Sequence, residues 1–310
     1  MVLIAALKKH GIKSVLGEKI KSGNFLYDIG STLLNGTDKT SLELIRLGEI
    51  NRISRKLKKK YRKVILKPLE IEVKKVPLDT LPVWTMWLQG EESAPAIVKS
   101  SLRSIKKNYD NVTVITRQNF NDFVNIPNSI VSKWKSNVIS DTHFSDIIRT
   151  ELLIKYGGTW IDSTVYVNNK CEWFEKKINN CSLFFFQNMR PGSTGNAIFL
   201  SSWFIVSVPN EPSLIRLREL LYEYWNDYGV LKDYYLFHIF WHLIFQAHPD
   251  ELDKVVKISN SLPLQMMYLL NKDISDSEFK QIFDDFPMQK LTYKQLSDDS
   301  NAAYHRFIED

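Results

Sequence analysis

Cysteine is almost missing. Two in 310 residues cannot build a disulfide framework, and Cys171 and Cys181 match no zinc spacing. Long apolar runs are missing too. A membrane span needs roughly 20 apolar residues, and the best stretches, Ala197–Val208 and Tyr234–Ala247, fall short. The second also carries His238, His242 and Gln246. Met1–Leu7 has no basic lead-in and no clean small-residue cleavage site after it, so export is not expected and a reduced, cytoplasmic setting is. Glycine (12) and proline (11) are too scarce for a collagen-like or low-complexity chain, while 44% hydrophobic residues exclude wholesale disorder. No P-loop, no Gly-x-Ser-x-Gly and no dinucleotide glycine fingerprint occurs.

What is plentiful is positive charge, placed unevenly. Residues 1–75 hold 18 Lys and Arg against 7 acids, leaving 23 against 28 in the remainder. Within the basic quarter, residues 44–66 repeat apolar positions at helical spacing: Leu47, Ile50, Ile53, Leu57, Tyr61 and Val64. Arg52, Arg55, Lys56, Lys58, Lys59, Lys60, Arg62 and Lys63 lie between them, with no acid from Asn51 to Pro68. Such a helix packs on the body with its charges solvated, lies on an anionic membrane surface, or does both. Nucleic acid is not expected, because no recognition motif or aromatic platform accompanies the charges. Pro68, Pro77 and Pro82 mark a boundary, giving a basic helical module over 1–76 and a body over 77–310.

The body alternates strands and helices. Leu81–Leu88 reads as a strand running into the Gln89-Gly90 loop, Ala94–Asn108 as a helix with Pro95 in its first turn, and Asn111–Thr116 as a strand. Ile130–Trp134 is helical. Ser140–Tyr156 is a longer helix, capped by Ser140 or Asp141 and stopped by Gly157-Gly158. Thr159–Ile161 restarts as a strand with Asp162 at its end. Ser182–Phe186 and Ile198–Val208 are strand-like; Pro212–Tyr228 and Tyr234–His248 are helical. The alternation predicts an α/β fold with a largely parallel sheet, whose ligands bind beyond the carboxyl ends of the strands. Asp162 stands at such an end.

Asp146 and Arg149 are three apart on the central helix and share a face. Taken alone they are a surface ion pair. The same helix, however, runs through the double glycine into a strand that delivers Trp160 and Asp162 to the same region. Two carboxylates, a guanidinium and an aromatic ring meeting in one cleft suit a nucleoside diphosphate. They offer a surface to stack on, acids for hydroxyls or a metal, and a cation for charge.

The run from His143 to Val165, with Ser-Asp-Ile-Ile-Arg, Tyr-Gly-Gly-Thr-Trp-Ile-Asp and Ser-Thr-Val, resembles the sugar-nucleotide core of the family 32 glycosyltransferases. It is most similar to their bacterial branch, the capsular polysaccharide synthesis proteins. Val83–Gly90 resembles the family's first strand and nucleotide loop, and Gln289–Lys294 its C-terminal element. The likeness covers residues 81–310 and is dense only over 81–167. It implies a GT-A-like, mostly parallel sheet flanked by helices, a UDP- or GDP-sugar donor, and transfer with retention. The acceptor it implies is a lipid-linked saccharide of a capsular or other cell-surface polysaccharide, met at the inner face of the plasma membrane. By the resemblance, Trp84 and Gln89 belong to the nucleoside pocket. Asp146 binds donor hydroxyls with Arg149 beside it, and Trp160 flanks the nucleotide. Asp162 opens the Asp-x-Asp motif and is the candidate ligand for Mg²⁺ or Mn²⁺, while Lys290 or Lys294 approaches the diphosphate. Where the motif usually has its second aspartate this chain has Thr164, a neutral oxygen that suits a hard cation poorly and weakens the metal.

Other sites are weaker. His238 and His242 have the spacing of a helical metal pair but lack the glutamate of His-Glu-x-x-His, and packed histidines are the expectation. His143 is a cap, core or acceptor residue. Tyr234–Trp241 reads as core before acceptor wall. Asp284-Asp285 and Asp298-Asp299 read as solvated loop pairs. Two rival functions stand beside transfer: a sugar-nucleotide or glycoside hydrolase, and a non-catalytic membrane-surface scaffold with a decayed site, for which Thr164 speaks.

Overall fold

A computed structural model describes residues 23–71, 76–77, 80–179, 181–189 and 198–308. The reading of Met1–Leu7, and parts of the expected boundary near Pro68–Pro82 and of Ala197–Val208, lie outside the described residues.

Five strands form the central sheet: β1 (Val83–Met86), β2 (Val112–Ile115), β3 (Gly158–Ile161), β5 (Leu183–Gln187) and β6 (Leu200–Ser207), in the order β2-β1-β3-β6-β5. β1 runs parallel to both β2 and β3, and β6 is antiparallel to β3 and β5. Four strands therefore point one way and β6 alone points back. The carboxyl ends of β1, β2, β3 and β5 share one edge with the start of β6. β4 (Val165–Val167) pairs separately with β7 (Met288–Lys290), antiparallel. These strands are short and rich in Val, Ile, Phe and Trp, and β1, β3 and β5 are buried along their whole length. Both sheet faces are covered, as mostly parallel sheets require.

The helices of eight or more residues are α1 (Phe25–Asn35), α2 (Lys39–Lys60), α3 (Ala96–Asn108), α4 (Asn128–Lys135), α5 (Asp141–Tyr156), α6 (Pro212–Asp227), α7 (Leu236–Ala247) and α8 (Asp276–Asp285). α5 touches β1 and β3 on one side and α6 on the other, so most of it is buried, Asp146 and Arg149 as well as its Ile and Leu residues. Ser140 is its cap, accepting from the His143 amide at 3.3 Å. Its end needs two glycines. Gly157 and Gly158 have φ of +66° and +100°, and a Cβ on Gly158 would lie 2.0 Å from the Pro82 carbonyl oxygen. No other residue fits that turn from α5 into β3.

The basic helix differs from expectation at both ends. It begins at Lys39, because Asp38 accepts from the amides of Thr40 and Ser41 at 3.0 and 3.1 Å. It turns at Tyr61 into a short helix, Arg62–Ile65. Its stripe (Ile50, Ile53, Leu57, Tyr61, Val64) is buried in the same core as α5, α6 and α7. Arg46 grips buried Asp233 with two hydrogen bonds of 2.8 and 2.7 Å, and Tyr61 donates to Asp227 at 2.9 Å. Leu47 departs from the stripe and stays exposed, as do Leu26, Leu33 and Leu34 of α1 and Leu44. Among the described residues no helix is long and apolar enough to cross a membrane.

Candidate active site

The α5–β3 turn brings one helix face and one strand end together. Asp146 and Arg149 stand one turn apart on α5, their charged groups 3.3 Å apart and both buried. Two residues past the buried Trp160, Asp162 follows β3. Its amide donates to the Trp203 carbonyl of β6 at 2.8 Å, which fixes where its side chain leaves the sheet. The Trp160 indole N–H donates to Asp162 Oδ1 at 2.9 Å, and Arg149 approaches the same oxygen at 3.7 Å. The guanidinium also lies over the Trp160 ring, 4.8 Å from its centre, and 5.6 Å from that of Phe237. It is anchored by hydrogen bonds to the Ser202 carbonyl and to Ser145 Oγ.

The fourth wall comes from far along the chain. Val165 of β4 sits opposite Lys290 of β7, and the Leu291 amide donates to the Thr164 carbonyl at 2.7 Å. Lys290 Nζ then donates to Thr164 Oγ1 and lies 3.4 Å from Asp162 Oδ2. Asp146, Arg149, Trp160, Asp162, Thr164 and Lys290 thus form one cluster at the carboxyl edge of the sheet.

The other sequence candidates lie elsewhere. Trp84 is in the core, its indole N–H donating to the Gly157 carbonyl at 2.9 Å and its ring against Phe123 and Tyr156. Gln89 is exposed on the loop after β1 and donates to Asp141 at 3.1 Å. Lys294 is exposed beside Tyr293. Of the two lysines offered by the C-terminal segment, only Lys290 enters the cluster.

Burial sets the electrostatics. It pushes the Asp146 carboxyl up, against the pull of Arg149 and His143, and draws the Lys290 ammonium down, against Asp162. His143 Nδ1 is 3.6 Å from Asp146 Oδ2, and burial keeps that imidazole neutral-leaning. On α7, burial and the nearby Arg149 push His238 down to about 3, so it is uncharged at neutral pH. His242 turns away toward Gln246 and Phe199.

Sequence reasoning gave three residues no part in the site: Ser202, Phe237 within the Tyr234–Trp241 run, and Asp141, read only as a helix cap. Ser202 and Phe237 hold Arg149 but belong to no motif. Asp141 gathers Gln89, Arg117 (3.0 Å) and the Trp134 indole N–H (2.8 Å) at the rim. Arg117 follows β2 at the sheet's carboxyl edge, the one signal that could have marked it.

A divalent cation fits this donor set poorly. Asp162 is the one carboxylate at the motif position, the Thr164 hydroxyl is bonded to Lys290, and an ammonium stands where a cation would be held. Among the described residues no three of His, Cys, Asp and Glu gather in a metal-binding group.

Acids and cations fixed at the carboxyl edge of a mixed α/β sheet stand where folds of this class bind their ligands. The chain belongs to the family of capsular polysaccharide synthesis proteins, whose match spans residues 37–309. Among solved structures it is similar to PaToxG glycosyltransferase, at 15% identity over 77% of this chain and 95% of that one, with a TM-score of 0.38. It is also similar to glycosyltransferase GlyE of Streptococcus pneumoniae TIGR4, at 8% identity over 74% of this chain and 60% of that one, again at 0.38. No curated protein matches it.

Proposed function

We propose that the protein is a retaining glycosyltransferase of GT-A type that moves a sugar from a UDP- or GDP-sugar to a lipid-linked saccharide of capsule synthesis. One observation carries the reading: Asp146, Arg149, Trp160, Asp162 and Lys290 converge at the sheet edge where α/β folds bind ligands. Asp146 is suited to accept hydroxyls of the donor sugar. Arg149 and Lys290 meet the diphosphate, and Trp160 holds Asp162 in register. Gln89, with Asp141 and Arg117 around it, forms the nucleoside rim, which Trp84 supports from inside the core. Lys294 stands at the outer edge.

The acceptor brings the protein to the inner face of the plasma membrane as a peripheral, cytoplasmic enzyme. Residues 44–66 keep Arg55, Lys56, Lys58, Lys59, Arg62 and Lys63 exposed, which attract anionic headgroups. The buried stripe leaves apolar contact to Leu44 and Leu47, together with Leu26, Leu33 and Leu34 of α1.

The test is turnover of UDP- and GDP-sugars by the purified chain, with and without a lipid-linked saccharide. Product that forms only with acceptor is the expected result. Equal sugar release without acceptor would make the protein a hydrolase, and no turnover at all would leave it a scaffold.

A further inference from the structure

The two motif positions, Asp162 and Thr164, already share a cation. Lys290 Nζ donates to the Thr164 hydroxyl and lies 3.4 Å from Asp162 Oδ2. The placement is built into the backbone, through the Val165–Lys290 register and the Leu291 to Thr164 hydrogen bond. The Lys290 side chain is 17% exposed and that of Asp162 27%, so the pair is sheltered yet open on one side. An ammonium has three N–H donors. Thr164 takes one, Asp162 faces another, and the third is left for an anion entering the cleft. The residue that makes a poor metal ligand, a neutral threonine hydroxyl, is a good acceptor for an ammonium. A second aspartate in its place would instead have served a hard cation.

We infer that the Lys290 ammonium does the work of a divalent cation in this protein, so that donor binding and sugar transfer proceed without metal. The inference rests on the donor reading above. In the transfer, the bond from the anomeric carbon to the β-phosphate oxygen breaks, and its electron pair stays on that oxygen. The acceptor oxygen bonds to the anomeric carbon, and the acceptor's proton leaves on the released nucleoside diphosphate. Negative charge grows on the phosphate, and two fixed cations face it: Lys290 and, across Asp162, Arg149. Preorganised charge of this kind lowers the barrier because it need not reorient during the step. Burial alone would favour a neutral lysine. Asp162 and an arriving diphosphate both oppose that and keep the proton on.

The test is calorimetric titration of the full chain with UDP and with GDP, in excess EDTA and in Mn²⁺. Undiminished binding of one nucleotide in EDTA is the expected result. K290M, checked for a wild-type melting temperature, should bind that nucleotide about 10- to 100-fold more weakly in EDTA, the loss of one charge-assisted hydrogen bond. Binding seen in Mn²⁺ alone overturns the inference and leaves the donor reading standing. Binding of neither nucleotide in either buffer overturns the donor reading itself. Wild-type affinity in folded K290M removes Lys290 from the site. The wild-type titrations decide the metal question even where K290M does not fold.

Discussion

The cleft and the basic helix both concentrate charge, and they treat it in opposite ways. In the cleft, Arg149 and Asp146 are almost wholly buried, and each charge has a named partner within 4 Å. Along α2 the lysines stand in water. Where they do pair, as Lys60 does with Asp227 at 3.0 Å, both side chains are 40% exposed. Exposed pairs are worth about 0–1 kcal/mol, whereas breaking a buried one costs about 3–5 kcal/mol. Charge in the cleft is therefore part of the packed structure, and charge on α2 is left in solvent.

The largest expected effect lies in the cleft. Asp146→Asn should cut transfer on the order of a hundredfold or more. It should also lower the melting temperature, because buried Arg149 keeps only the more distant Asp162, at 3.7 Å, of its two carboxylate partners. Asp162→Asn should lose as much turnover while melting near the wild type, since its carboxylate reaches solvent. Turnover assays paired with thermal melts separate the two, and wild-type turnover in either variant would erase the chemical half of the contrast.

A smaller effect tests burial away from the cleft. Glu211 caps α6, accepting from the Ser213 amide at 3.4 Å. Burial, aided by Glu251, pushes its carboxyl up to about 7 against the Ser213 hydrogen bonds and Arg216. The fold thus favours the protonated form. That contribution is complete below the usual pKa near 4.5 and is lost as pH rises through about 7. Wild type should lose about 2–3 kcal/mol relative to E211Q between pH 5 and 8. Denaturant midpoints read it, and parallel curves would show that Glu211 is better solvated than its position indicates.

The smallest effect per residue belongs to the helix. K59Q, R62Q and K63Q together should weaken binding to vesicles containing anionic lipid by about 1 kcal/mol per charge. Turnover of a soluble acceptor should stay unchanged. Vesicle binding that ignores added salt would make the charges irrelevant and leave the exposed leucines of α1 and α2 to account for it.

The same contrast explains what the sequence made legible. α5, its serine cap, its glycine stop and the strand after it could be read because local signals agree there: periodicity, cap and breaker coincide. Helical spacing put Asp146 and Arg149 on one face, and the strand that follows, with the family resemblance, made them candidates. The reversed direction of β6 could not be read, since an antiparallel buried strand carries the same apolar run as a parallel one. β4 and β7 are three residues each, too short for any alternation, so their pairing and the choice of Lys290 over Lys294 lay beyond local pattern. Trp84 turned inward for a similar reason. An aromatic residue on a buried strand faces core or ligand according to which neighbours arrive, and Phe123 and Tyr156 arrived.

The β4–β7 ladder has a consequence for synthesis. Thr164 and Lys290 lie 126 residues apart, and at about 5–20 residues per second a ribosome takes roughly 6–25 s to pass from one to the other. During that interval the nascent chain carries Asp162 and Thr164 without their ammonium, and closing so long a loop afterwards costs about 4 kcal/mol of chain entropy. The strand that closes it also installs the cation, so a polypeptide stalled before residue 290 holds half a site. Translation itself orders the assembly: Lys290 reaches the Asp162–Thr164 pair only after the whole intervening segment has been made.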